Sequence, residues 1–187
     1  GNGTTHTLYR VQPRGLGAVA VDEDTYVRAE FPLTVNGSES MVVLYRDATE
    51  EIIPLYRFPV EQVPASFNRA YLNLALIGCP AGRGETTQAE VYRVTSDWNE
   101  STVNWSTRPS IDSSETWGVS TFVAAPLIIG PPPGGPVKIE ITSLVRAWKE
   151  GRFPNHGLAL DRRLASGPDC NFHSAESSGP RPYVSLE

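Results

Sequence analysis

Asn68-Arg-Ala-Tyr-Leu-Asn-Leu-Ala-Leu-Ile77 decides the class of fold. Ala70, Leu72, Leu74 and Leu76 fall on one face of an extended chain, the period of a half-buried strand. Earlier in the chain, Asp24–Phe31 alternates in the same way, and Met41–Arg46 and Ile52–Phe58 are short apolar runs. Pro54 marks the last of these as an edge or a bulge, because proline has no N–H for a ladder. Later come 87–95, 122–129, 137–141, 157–160, 171–174 and 183–186. Turn clusters at 78–84, 131–136, 166–168 and 177–180 separate them. About ten short strands without interleaved long helices predict an antiparallel sandwich or barrel.

One helix is expected. Thr142 can cap it, Leu144, Val145 and Trp148 share a face, and Gly151 ends it. About two turns are too few for stability alone, so Trp148 should pin it to the sandwich.

Composition agrees with this reading and narrows the function. The 187 residues suit one domain, and 40% hydrophobic with 20% charged residues excludes wholesale disorder. Sixteen glycines and 16 prolines leave little room for long helices. A net charge of −5 argues against nucleic acid as a partner. No run of 18 apolar residues exists to span a bilayer. The start at Gly1, without Met or signal peptide, reads as a processed end. Arginine outnumbers lysine 14 to 2, which fits a hot habitat or a GC-rich genome alike.

Cys79 and Cys170 are the only cysteines, so they are two buried thiols or one bridge. Asn-x-Ser/Thr sites at Asn2, Asn36, Asn99 and Asn104 point outside the cell and favour the bridge. Closing about 90 residues would contribute about 4–5 kcal/mol in the chain-entropy model. Asn36-Gly-Ser38 reads as an exposed turn and is the leading glycosylation candidate.

Residues 1–20 carry Arg10 and Arg14 and no acid, unlike the acidic remainder. Tyr9 and Val11 fall on one side of an extended segment, Leu8 on the other. The expected division is an N-terminal arm over 1–20 and a sandwich over 21–187.

Several motifs follow one another along the chain: Asp24-Thr-Tyr-Val27, Leu55-Tyr-Arg-Phe-Pro-Val60, Asp97-Trp-Asn-Glu-Ser-Thr-Val-Asn-Trp105, Asn155-His-Gly-Leu158, Phe172-His-Ser-Ala-Glu176 and Pro182-Tyr-Val-Ser-Leu-Glu187. In that order they resemble the DNRLRE family. Its members include alginate-binding modules of carbohydrate-binding family 96 and disaggregatase-type repeats of archaeal surface proteins. The resemblance covers residues 22–187. It implies an all-β jelly-roll sandwich on a secreted or surface protein.

No nucleophile motif, zinc-protease motif or phosphate loop is present, so the sequence points away from an enzyme. The histidines His6, His156 and His173 are not spaced as a metal set. Calcium is the one cofactor these acids suggest, at Asp22, Glu23 and Asp24, or else at Asp97 and Glu100.

Two functional expectations follow. The first is a secreted, non-catalytic subunit that polymerises with copies of itself into a filament or tube. Its arm would add to a neighbour's sheet edge through Leu8, Tyr9 and Val11. The second is a carbohydrate-binding module for an extracellular, uronate-rich polysaccharide. Trp117, Tyr26 and Tyr45 would then be the stacking platform, with Arg28 and Arg46 as anion anchors.

Overall fold

The computed structural model describes residues 17–80, 84, 86–124, 136–162 and 167–187. Thirteen strands lie among them. In chain order they are β1 (Gly17–Ala20), β2 (Glu23–Arg28), β3 (Met41–Arg46), β4 (Glu51–Arg57), β5 (Ala70–Leu74), β6 (Leu76–Gly78) and β7 (Thr86–Val94). Then follow β8 (Ile111–Asp112), β9 (Gly118–Val123), β10 (Val137–Glu140), β11 (Leu158–Asp161), β12 (Gly167–His173) and β13 (Tyr183–Leu186). One helix, α1 (Thr142–Lys149), lies between β10 and β11.

Every strand pairing is antiparallel, in two sheets. Four strands form one sheet, β1-β13-β5-β10. Nine form the other: β6-β12-β3-β4-β11-β7-β8, with β2 on β4 and β9 on β7. The protein is an all-β sandwich with one short helix, as the alternating runs implied.

Two cores explain the patterning. Leu44, Leu72, Leu74, Leu158, Leu160, Ile139, Phe172 and Val184 are buried together in the main one. Val27, Ile53, Leu55, Val94, Trp98, Val103 and Ala159 form a second. Leu158 and Leu160 belong to the first and Ala159 to the second, so β11 is apolar on both faces. That is the burial of a central strand covered on both sides.

The decisive stretch, 68–77, departs from a single strand. It breaks at Ala75, where β5 ends in the four-stranded sheet and β6 begins in the nine-stranded one. The Ala75 carbonyl accepts from the His173 N–H at 2.9 Å, which anchors the crossing. Ala70, Leu72, Leu74 and Leu76 all remain in the main core, because both sheets face it.

Pro54 is not on an edge strand. One side of β4 carries β2 along 52–57. The other side pairs with β3 at residues 51–52 and with β11 at 55–56. Pro54 falls in the gap of that fork, where no ladder N–H is required.

Thr142 is the first helical residue of α1, and it makes no cap. Its hydroxyl instead accepts from the Ala70 N–H and donates to Glu140 Oε1, each at 3.0 Å. Gly151, at φ +68°, ends the helix as expected. Trp148 is buried and meets Phe58 edge-on at 5.7 Å.

Gly17–Ala20 fell within the expected arm. These residues pair with β13 of their own chain. Residues 1–16 and 125–129 lie outside the described residues.

Cys79 and Cys170 form a disulfide. It joins the end of β6 to β12, whose Asn171 is paired with Gly78.

Candidate functional site

The family motifs named above tie one another together by hydrogen bonds. Trp98 is buried in the second core, and its Nε1 donates to the His156 carbonyl at 2.8 Å. Asn155 donates to the Phe58 carbonyl at 2.9 Å and accepts from the Gly157 N–H at 3.0 Å. Gly157 has φ +87°, and a Cβ there would come within 2.4 Å of the Tyr56 carbonyl. Only glycine fits both demands. Arg57 bonds Glu23, donates to Asp97 at 2.6 Å, and donates to the Trp98 carbonyl at 3.0 Å. The buried Ser174 donates to the Glu39 carbonyl at 2.7 Å and accepts from the Glu176 N–H at 3.2 Å.

The result is a meeting of three carboxylates from three distant segments. Asp24 comes from β2, Glu100 from the turn after Trp98, and Glu176 from the turn after β12. One ligand oxygen from each lies within 4.8 Å of the others. The Asp24 N–H donates to Glu100 Oε1 at 2.7 Å, and Asp24 Oδ2 accepts from the Ala175 N–H at 2.8 Å. Asp24 is 1% exposed, and its other oxygen, Oδ1, has no hydrogen-bond partner. Burial pushes its carboxyl up to about 8. The Ala175 N–H opposes that rise, and the charges of Glu176 and Glu100 add to it. Burial raises Glu100 as well, against the Asp24 N–H and with Glu176, Glu23 and Asp22 adding.

This grouping differs from the set of acids expected from sequence. Of Asp22, Glu23 and Asp24, only Asp24 joins it. Asp22 is exposed, and Glu23 is paired with Arg57. Asp97 is also held by Arg57, so Glu100 finds its partners elsewhere. Among the described residues this is the one group of three metal-ligating side chains so placed.

Beyond Asp24 on the same strand, Tyr26 and Arg28 line a groove of about 620 Å³. Met41, Val43 and Tyr45 of β3 and Pro168, Asp169 and Asn171 of β12 complete its walls with the β3–β4 hairpin. Tyr26 and Tyr45 are half-buried. The Tyr45 hydroxyl donates to Asp47 Oδ2 at 2.5 Å, which pushes its ionisation up to about 12. Arg28 contacts Glu50 and Glu30, each at 2.5 Å, and lies 4.8 Å over the Phe31 ring.

The structure thus brings together Tyr26, Tyr45 and Arg28, and separates Arg46 and Trp117 from them. Arg46 closes the fork in the large sheet, donating to Asp161 at 2.9 Å and pairing with Glu51. Trp117 is 8% exposed in the main core, edge-on to Phe153 at 6.0 Å.

A family model described as carbohydrate-binding module family 96 matches residues 17–187. The chain belongs to that family. No curated protein matches it. The family-96 match begins at the first residue of β1, so that strand is part of the module. No helix among the described residues is long and apolar enough to cross a membrane.

The module places the glycosylation candidates in different settings. Asn36 is 8% exposed, not in an open turn, and its amide donates to the Tyr26 carbonyl at 2.9 Å. Asn99 is exposed, and its Oδ1 accepts from the N–H and hydroxyl of Ser101. Asn104 accepts from the Thr107 N–H at 3.1 Å in a capping box. Asn2 and the arm anchors Leu8, Tyr9 and Val11 lie outside the described residues.

Proposed function

We propose that this family-96 module binds an extracellular carbohydrate chain without modifying it, in the groove bordered by Tyr26 and Tyr45. The observation that carries the reading is the joint placement of those two rings on one groove, in a member of a carbohydrate-binding family. Tyrosine offers an apolar face and a polar tip, which suits a sugar ring. The disulfide supports an oxidising, extracellular setting.

Charge favours a neutral glycan over a uronate. Arg28 already faces two carboxylates, and Asp169 adds a further acid to the groove wall. Arg46, the other expected anion anchor, serves Asp161 and Glu51. A polyanion would have to displace these partners. Polymerisation through the arm has no support among the described residues.

Affinity electrophoresis tests the reading. The protein should be retarded in gels containing a neutral polysaccharide such as β-glucan or xylan, and less so in alginate. Replacing Tyr26 and Tyr45 together by Ala should weaken retention about tenfold or more. Unchanged retention of a folded double variant would refute the groove.

A further inference from the structure

We propose that Asp24, Glu100 and Glu176 form a binding site for one calcium ion. Three observations carry it. The first is the spread of the oxygens, all within 4.8 Å of one another. Calcium holds its ligands at about 2.3–2.6 Å, so opposite ligands lie about 5 Å apart. Magnesium demands near-ideal octahedral geometry and keeps several waters, so an all-carboxylate cluster from three separate segments suits calcium better.

The second observation is the orphaned oxygen. Asp24 is 1% exposed, and its Oδ1 belongs to the cluster's buried member yet has no hydrogen-bond partner. A buried carboxylate oxygen left bare is costly, and a cation would remove that cost. Its sister Oδ2 is fixed by the Ala175 N–H, which sets the orientation of the carboxylate.

The third is the lack of any other counter-charge. Among the described residues, no ion pair reaches Asp24, Glu100 or Glu176. The neighbouring arginine, Arg57, is committed to Glu23 and Asp97. A dication would neutralise most of the triad's charge, with water completing the six to eight oxygens calcium prefers. Glu176 is exposed and provides the way in.

Such an ion would clamp β2, the turn after Trp98 and the turn after β12. The three ligands lie 76 and 76 residues apart along the chain, from Asp24 to Glu100 and from Glu100 to Glu176. The site is independent of the sugar reading, although Tyr26 is two residues along the same strand.

The test is calorimetric titration of chelator-treated full chain with calcium chloride, alongside thermal melts. One ion should bind per chain. The melting temperature should rise by about 5–10 °C in 10 mM calcium for an affinity typical of extracellular sites. Glu176→Gln, at an exposed position, should fold normally by circular dichroism and bind calcium at least about tenfold more weakly. Glu61→Gln, on another exposed segment, should bind like the parent. The proposal fails if the folded parent takes up no calcium below 10 mM, a ceiling well above about 1 mM, the weak end for extracellular sites. It fails equally if Glu176→Gln binds as tightly as the parent. A further contrary result is Asp24→Asn melting higher than the parent in calcium as well as in chelator. That would make the triad a set of carboxyls sharing protons.

Discussion

A methyl group at Gly37 would come within 2.2 Å of the Glu100 carbonyl and 2.5 Å of its Cγ. The backbone of the Asn36-Gly-Ser38 turn therefore lies directly against the residue that presents one of the three clustered carboxylates. Asn36 locks the same turn to β2 through the Tyr26 carbonyl. Gly37→Ala should destabilise the fold by about 1–3 kcal/mol, through overpacking against backbone that cannot yield. Urea unfolding would show this as a lower midpoint at unchanged slope. The residue scale is also where sequence reading fell short. Asn-Gly-Ser looks like a solvent-facing turn, because nothing in three residues reports the neighbouring chain that covers it. Trp117 gave no sign of being core, since an aromatic beside a turn reads alike whether packed or exposed. The acid triad was hidden for a related reason. Its members are each separated by 76 residues, so only the topology brings them together.

Elements were far more legible. β3 and β13 follow the expected bounds, because a run such as Met41–Arg46 has one strand-like explanation. The break at Ala75 was invisible for a definite physical reason. Alternation records which side of the chain is apolar, and a strand crossing between two sheets around one core keeps the same side apolar. Pro54 misled in the opposite direction, because a fork creates a gap in the middle of a sheet that an edge rule does not foresee. The helix was recognisable from its apolar face and its glycine stop. Trp148, packed edge-on against Phe58, joins Leu144, Val145 and Ala147 in attaching it to the main core. Trp148→Ala should cost about 3–5 kcal/mol and lower the melting temperature by roughly 10 °C. A loss under 1 kcal/mol, measured calorimetrically, would mean that α1 is not held by that ring.

For the whole molecule, the disulfide is the longest-range covalent constraint. It closes a loop with a sequence separation of 91, which restricts the unfolded chain by about 4–5 kcal/mol in the entropy model. Replacing Cys79 and Cys170 together by Ser should lower the melting temperature by about 10 °C or more in oxidising buffer. In reductant, parent and variant should melt together.

The position of that bond matters as much as its strength. Cys170 is flanked by Asp169 and Asn171, two residues that β12 contributes to the groove wall beside β3, the strand of Tyr45. The half-cystine is thus the rivet of one jaw. Where thiols stay oxidised the jaw keeps its shape. Reduction would remove that tie between β6 and β12, and the glycan retention proposed for the groove should then weaken in affinity gels run with reductant.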